Sequence, residues 1–170
     1  MNPTILKYAG IGLVIVLVIV AIIFTANLGS QIRLNGTMQQ VRIQAMDAKS
    51  CVVIIDFRIH NPADYPFIIR DADIFLEDAD GAVLSGMAVA ANQAKRMFDY
   101  YSKVNPDLGV QYNEVLIRED EVGAGATFDR MLCARFEIPA AAAEDRSGLR
   151  IRLLDVDGAV TEIVEERESE

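Results

Sequence analysis

The sequence predicts an all-β sandwich of seven or eight short strands, with a short helical insertion, behind one transmembrane helix. Three observations predict this architecture. An apolar run without any charged residue covers Tyr8–Ala26. Beyond it, apolar side chains alternate with polar ones over several short segments, as they do in half-buried strands. Turn-forming residues separate these segments at regular intervals, which is typical of antiparallel sandwiches.

The segment Tyr8–Ala26 is apolar on every side, whereas a helix of a soluble protein has a single apolar stripe. As a helix it is roughly 28 Å long, close to the ~30 Å thickness of the hydrocarbon core of a bilayer. It is too long for a buried core helix. A cleaved signal peptide has a shorter apolar run and a small-x-small cleavage site, which is missing here. We therefore predict an uncleaved anchor that contacts the lipid bilayer through residues 8–26.

The predicted organisation has five parts. They are an N-terminal tail (residues 1–7), the transmembrane helix (8–26), a polar linker (27–36), a β-sandwich domain (37–165) and an acidic tail (166–170). Lys7 is the sole basic residue before the anchor, while Arg33 and Arg42 follow it. A short tail with one lysine favours a cytoplasmic N-terminus. The domain is then expected on the extracytoplasmic side, periplasmic or extracellular.

The net charge of the chain limits the kinds of molecule that the whole domain is expected to bind. The chain has 25 acidic and 16 basic residues, a net charge of −9. An acidic surface repels phosphate groups, so the composition argues against nucleic acid, and against an anionic membrane surface, as partner of the whole domain.

Two strands are predicted before the first proline that follows the anchor. Met38–Asp47 alternates apolar with polar residues. Ser50–His60 has the clearest strand pattern, because every second residue belongs to one apolar face: Cys51, Val53, Ile55, Phe57 and Ile59. Asn61-Pro62 ends this strand, since proline has no amide hydrogen for the ladder and restricts the residue before it.

A hairpin is predicted next. Phe67–Leu76 reads as a long strand whose apolar face changes near Arg70-Asp71, which indicates a bulge. Asp80-Gly81 between two hydrophobic runs is a strong hairpin signal. Ala82–Val89 is therefore predicted as the partner strand.

The insertion Asn92–Gly109 breaks the strand pattern. Its apolar residues recur at helical spacing, which predicts a helix over Asn92–Val104 that packs on a sheet edge or on one end of the sandwich. These residues are Ala94, Met97, Phe98, Tyr101 and Val104. Asn105-Pro106 is expected to end the helix.

The remaining elements follow the same logic. A short strand is possible at Glu114–Ile117, and a long one is predicted at Thr127–Ile138, ended by Pro139. Ala140–Glu144 has room for one helical turn. Leu149–Leu154 and Ala159–Val164 form a second hairpin around Asp157-Gly158.

The two cysteines are predicted to be free thiols. Cys51 lies on the apolar face of its strand, whereas Cys133 shares the other face of its strand with Asp129 and Arg135. A disulfide needs Cβ atoms roughly 4 Å apart, and these two side chains point into different spaces.

Several of these residues resemble one known family. Five segments are similar to the late-embryogenesis-abundant type 2 domain. They are the run Phe57–Pro62, the run Tyr65–Ile69, the Asp80-Gly81 hairpin, the small-residue turn in Val122–Phe128 and the strand end Phe136–Pro139. This domain is also called the water-stress and hypersensitive-response (WHy) domain. The resemblance covers roughly residues 37 to 164.

The resemblance implies a fibronectin-III/immunoglobulin-like sandwich of about seven strands. It also implies a role in tolerance of desiccation and other stress, through protection of proteins or membranes, and an N-terminal membrane helix. Its most specific part is the strand end Asn61-Pro62, a structural motif of the family. The insertion Asn92–Gly109 is longer than the family pattern, which puts the strand register there in doubt.

The sequence offers little for catalysis or for cofactor and metal binding. His60 is the single histidine, and it lies on the polar face of a strand end. One histidine and two divergent cysteines cannot form a zinc set. Asp71 and Asp73, like Asp78 and Asp80, lie two residues apart, but neither pair matches a calcium-binding EF-hand loop. We therefore predict a protein without enzymatic activity, cofactor or metal.

Lys95, Arg96 and Lys103 form a local basic face on the predicted helix. Such a face can contact phospholipid headgroups or a partner protein, although a solvated helix face explains the same residues. The expected function is a membrane-anchored protective module that contacts partly unfolded client proteins or the membrane. The alternative is an accessory or adaptor subunit of a membrane protein complex.

Overall fold

The computed structural model describes residues 12–22 and 33–166. The chain divides into two units between Gln31 and Ile32. In the first unit, residues 12–22 form a helix, here α1, whose side chains are exposed. Of the predicted anchor, residues 8–11 and 23–26 lie outside the described residues, as do positions 1–7, 27–32 and 167–170. In the described stretches, no helix combines the length and the hydropathy that a membrane crossing requires.

Within residues 33–166, the second unit contains nine strands, two α-helices and one short 3-10 turn. The strands are β1 (Asn35–Ala45), β2 (Cys51–His60), β3 (Phe67–Glu77), β4 (Val83–Ser85), β5 (Met87–Ala88), β6 (Glu121–Val122), β7 (Thr127–Phe136), β8 (Gly148–Asp155) and β9 (Val160–Val164). The helices are α2 (Ala91–Val104) and α3 (Ala140–Glu144), and the 3-10 turn is Pro106–Leu108.

These strands form two antiparallel sheets packed face to face, so the predicted β-sandwich is confirmed. Sheet I has the order β1-β2-β7-β5, and sheet II has the order β4-β3-β8-β9, with β6 paired to one end of β3. The alternation in β2 acts as predicted, because Cys51, Val53, Ile55, Phe57 and Ile59 all face the core between the sheets. Burial of these apolar faces is the main favourable contribution to folding.

Two local predictions for the hairpins are also confirmed. The register of β3 against β8 shifts between Ile69 and Asp71, which is the expected bulge. Gly81 and Gly158 have φ angles of 84° and 88°, and each occupies the turn that its Asp-Gly pair predicts. Glycine adopts this left-handed backbone without a steric penalty.

The prediction of a single strand over Ala82–Val89 is wrong. β4 pairs with β3 in sheet II, whereas β5 pairs with β7 in sheet I, so the chain changes sheets at Gly86. The amide of Gly86 donates to the carbonyl of Ile74 at 2.8 Å. A Cβ atom at this position would lie 2.6 Å from Cζ of Phe136, so a side chain does not fit at the crossing.

Two further boundaries differ from the predictions. Glu114–Ile117 is not a strand; Val115 forms one isolated parallel bridge to Met131. Asn35 and Gly36, assigned to the linker, are the first residues of β1 and pair with His60 and Ile59.

Candidate functional site

The segment between β5 and β6 covers the outer face of sheet I. The helix α2 turns Ala94 and Phe98 toward this sheet, where they join a second apolar cluster that is separate from the core between the sheets. The strand residues of this cluster are Val52, Ile54, Met131 and Cys133. The predicted helix is confirmed, but it lies on a sheet face, and not at an edge or an end of the sandwich.

The sequence of β2 explains why this face needs a cover. In most antiparallel sandwiches one face of each sheet is polar and solvated. Here the outward residues Val52 and Ile54 are 2% and 0% exposed, so β2 is buried on both faces. Without α2, these side chains would be in water. The insertion is therefore part of the hydrophobic packing of the domain.

A buried ion pair lies beside this apolar cluster. Arg42 on β1 and Asp56 on β2 approach to 2.7 Å between Nη2 and Oδ2, and their side chains are only 7% and 3% exposed. The other carboxylate oxygen of Asp56 accepts a hydrogen bond from Nδ2 of Asn113 at 2.9 Å. Burying charges is costly unless they are paired and hydrogen-bonded. Both Nη atoms of Arg42 and both carboxylate oxygens of Asp56 have partners, whereas the buried Nε of Arg42 has no hydrogen-bond partner among the described residues.

Arg42 also fixes the segment that follows α2. Its Nη1 donates to the carbonyls of Leu108 and Val110 at 2.8 and 2.9 Å. Its guanidinium lies 5.2 Å from the ring centroid of Phe98 and 5.0 Å from that of Tyr112, so it also forms cation–π contacts. One buried cation thereby joins β1, α2 and the returning loop. We call Arg42, Asp56 and Asn113 the polar clamp.

Sequence reasoning missed the polar clamp. Arg42 and Asp56 occupy polar positions of alternating strands, a pattern that is typical of a solvated face. Two features of the sequence nevertheless indicate the polar clamp. A helix with an apolar stripe has to pack on another surface of the domain, and the two neighbouring strands carry opposite charges, at Arg42 and Asp56. Only the tertiary arrangement shows that the helix covers these two residues.

The predicted basic residues of α2 are not part of the polar clamp. Lys95, Arg96 and Lys103 are all exposed. Lys103 lies in the last turn, where a cation complements the helix dipole. On the same helix, Tyr100 and Val104 are 64% and 68% exposed, although Val104 was expected on the packed stripe. The outer surface of α2 thus combines cationic and apolar side chains.

A groove opens at the side of the sandwich, where β5 is too short to extend sheet I along β7. We call it the side groove; its volume is about 400 Å³. Its walls are residues 69–72 of β3, residues 88–91 before and at the start of α2, and residues 116–118, with Leu132 of β7 at its base. These segments are far apart in sequence, and no motif pointed to the groove.

The family motif Asn61-Pro62 has a clear structural role for its first residue. Asn61 is fully buried, and its Nδ2 donates to the carbonyls of Tyr65 and Val122 at 2.8 and 2.9 Å. Its Oδ1 accepts from the amide of Ala63 at 3.0 Å. This one side chain connects the loop after β2 to β6, whereas Pro62 is exposed.

Both cysteines are free and buried, and they face different apolar clusters as predicted. Burial beneath α2 raises the pKa of the Cys133 thiol to about 12. Burial also raises the pKa of Cys51. A thiol in this state is a poor nucleophile, because the thiolate is the reactive form.

The single histidine of the chain lies away from the side groove. Nδ1 of His60 lies 3.3 Å from the hydroxyl of Thr127, and neither residue lines the side groove. Across residues 12–22 and 33–166, no three His, Cys, Asp or Glu side chains converge as they would around a metal ion. The described surface includes an apolar groove and a helix with exposed cationic and aromatic side chains.

No model of a known protein family matches the chain, and no curated protein matches it. Among solved structures, it is similar to an uncharacterised β-sandwich protein from Clostridium difficile 630, with 10% identity and a TM-score of 0.39 over 79% of this chain and 86% of that chain. It is also similar to the structural genomics target SoR45, with 10% identity and a TM-score of 0.36 over 82% of this chain and 85% of that chain.

A third similarity is to the Iho670 flagellar-like filament, with 10% identity and a TM-score of 0.33 over 96% of this chain and 98% of that chain. Likenesses at these TM-scores carry no information about function.

Proposed function

We propose that this protein is a membrane-anchored, non-enzymatic binding module of the late-embryogenesis-abundant type 2 kind, which protects proteins or membranes during water loss. The observation that carries the proposal is Asn61. It ends β2 at the Asn-Pro pair of that family, and its buried amide holds the following loop in place through three hydrogen bonds to backbone groups of Tyr65, Val122 and Ala63.

The order of the strands supports the finer fold assignment in this proposal. Immunoglobulin-like domains place their first, second, fifth and fourth strands in one sheet and the third, sixth and seventh in the other. If β4 and β6 are treated as additions, the order β1-β2-β7-β5 opposite β3-β8-β9 follows the same scheme. The fibronectin-III/immunoglobulin-like topology is therefore part of the proposal.

The anchor is a second component of the proposal. Support comes from the uncharged sequence of residues 8–26 and from α1, whose large apolar side chains are 50% to 63% exposed. Resistance of the full chain to alkaline carbonate extraction tests this part. Protease accessibility in sealed vesicles then tests the proposed extracytoplasmic location of the domain.

The protective function is tested in cells and with purified protein. A deletion strain is expected to lose viability on drying and osmotic shock, and the full chain in lipid nanodiscs is expected to suppress aggregation of a partly unfolded client enzyme. If the strain survives like its parent and the client aggregates at an unchanged rate, the protective function is excluded.

The second candidate is an adaptor subunit of a membrane protein complex. It is favoured by the outer surface of α2, where Tyr100 and Val104 are exposed beside Arg96 and Lys103. Exposed aromatic and arginine side chains are enriched in protein interfaces. A stoichiometric partner in a mild-detergent pull-down, lost with Tyr100→Ser, would favour this function over general protection.

A further inference from the structure

The side groove combines an apolar base with an open mouth. Ile69, Leu116 and Leu132 are 1%, 7% and 4% exposed and form its interior surface. Its volume of about 400 Å³ lies within the range of small-molecule sites, which are concave and mostly apolar.

One wall of the groove exposes apolar side chains without interruption. Residues 88–91, which line the groove, read Ala-Val-Ala-Ala, and among them only Val89 is partly covered. Ile117, on the neighbouring wall, is 54% exposed. Consecutive exposed apolar residues around a concavity are unfavourable in water unless they bind something.

Positive charge is concentrated at one part of the rim. Arg70 and Arg118 both line the groove and are exposed. Asp71 lies 3.8 Å from Arg118, but these side chains are 56% and 72% exposed, so solvent weakens their attraction. An anionic group of a ligand can therefore compete with Asp71 for Arg118.

The geometry points to a binding site for an anionic amphiphile, a molecule with one alkyl chain and one carboxylate or phosphate head. The chain occupies the apolar part between residues 88–91 and Leu132, and the head contacts Arg70 and Arg118. The inference of this site depends on the groove alone and goes beyond the proposed protective function. The binding site and the protective function can therefore be disproved independently.

The test uses the full chain in nanodiscs of neutral phosphatidylcholine and a palmitic acid that bears a photoreactive diazirine. After irradiation, peptide mass spectrometry locates the adducts. We expect them on residues 88–91 and 116–118, and we expect excess palmitate to remove them. Lysophosphatidic acid competes if a phosphate head is accepted, and this comparison separates the two head groups. Adducts confined to residues 8–26, or spread over the whole surface, would overturn the site.

Substitutions test separately whether the groove holds the alkyl chain and whether the two arginines bind the anionic head. Ala88→Trp fills the groove and is expected to abolish labelling. Ile117→Trp, at a groove position that is 54% exposed, does the same from the neighbouring wall, should the first variant not fold. Arg70→Glu with Arg118→Glu lowers labelling at least about tenfold, because charge-assisted contacts are lost. Asp71→Asn raises labelling. Lys49→Glu removes an exposed cation outside the groove and leaves labelling unchanged.

Two results contradict the proposal directly. If labelling is unaffected by either tryptophan variant in a folded protein, the groove is not the site. If uncharged hexadecanol competes as well as palmitate, the arginine rim does not recognise a charge.

Discussion

Arg42 and Asp56 pair in a place where neither charge has access to bulk water. A buried pair of this kind contributes little net stability compared with apolar residues of the same volume, because desolvation offsets the attraction. Removal of one partner is different, since it leaves a buried charge without compensation. The pair therefore matters more for where the loop after α2 is placed than for total stability.

This distinction predicts the effect of single and double substitutions. Asp56→Ala is expected to lower the free energy of unfolding by about 3–5 kcal/mol. Arg42→Met combined with Asp56→Leu is expected to cost less than Asp56→Ala alone. Urea denaturation of the full chain in nanodiscs measures both. A double variant at least as unstable as the single one would contradict this account.

An exposed pair provides the matched control. Arg58 and Asp129 form two hydrogen bonds, of 2.7 and 2.8 Å, with side chains 52% and 37% exposed. Hydrogen bonding to Arg58 lowers the pKa of Asp129. Because solvent screens this pair, Asp129→Asn is expected to move the urea midpoint far less than Asp56→Ala does.

Asn61 is expected to be the most sensitive position of the family motif. Asn61→Ala removes the donor to the buried carbonyl of Val122, at a cost of about 1–3 kcal/mol for an unsatisfied buried group. Loss of the part-buried hydrogen bond to Tyr65 is expected to add less, because Tyr65 is 39% exposed. Thermal unfolding measures the loss. Asn92→Ala, at an exposed position on α2, serves as the control and is expected to have little effect.

The raised pKa of Cys133 predicts a dependence of stability on alkaline pH. An unfolded thiol loses its proton near pH 9, whereas the folded thiol keeps it until about pH 12. Between these values the unfolded state binds fewer protons, so stability decreases as pH rises, by about 1.4 kcal/mol per pH unit for one thiol. Cys133→Ala is expected to remove this contribution to the decrease of unfolding free energy with pH. If the decrease is the same in the variant, the raised pKa of Cys133 does not cause it.

At the scale of single elements, the accessibility of the two cysteine thiols distinguishes separation of α2 from unfolding of the sandwich. Cys133 lies under α2, and Cys51 lies between the sheets. Local separation of α2 would expose Cys133 alone, while unfolding of the sandwich exposes both. The helix can therefore be tested as a unit that opens on its own.

Phe98→Ala is expected to favour this opening, because it removes the largest buried side chain of α2 at a cost of about 3–5 kcal/mol. Reaction of Cys133 with a thiol reagent should accelerate while Cys51 stays protected. Tyr100→Ala, on the exposed surface of the same helix, should leave both rates unchanged. Equal acceleration of both cysteines would show that α2 and the sandwich unfold together.

The predictions that are confirmed depend on local signals, although the local pattern over Ala82–Val89 did not show that the chain changes sheets there. The alternation in β2 and β7, the helical spacing in α2 and the Asp-Gly turns each depend on neighbouring residues. The side groove and the polar clamp depend on which segments meet in space. Arg42 and Asp56 have the pattern of solvated residues, and Ile69 meets Ala88 only because the chain changes sheets between them.

At the scale of the whole molecule, the chain passes from sheet II to sheet I at Gly86, between β4 and β5, and so connects the two sheets. Gly86 permits it, because the backbone there lies against Phe136 and Ala134. Gly86→Ala is expected to destabilise the domain by about 1–3 kcal/mol through overpacking. Gly123→Ala, whose added Cβ would lie 3.8 Å from its nearest neighbour, is the control. Equal melting temperatures for the two variants would contradict this role of the crossing.

The burial of β2 on both faces has a consequence for biosynthesis. Residues 51–57 leave the ribosome as a run of apolar residues with high β propensity, and their partner β7 exists only after Thr127 has been added. At 5–20 residues per second, the 70 residues between Phe57 and Thr127 take roughly 3.5 to 14 s. During this time we expect β1 to cover one edge of β2, as it does in the folded domain. Asp56 is the one charge within residues 51–57 that discourages self-association. Chaperone dependence of the nascent chain is therefore expected to begin when β2 emerges and to end with the synthesis of β7.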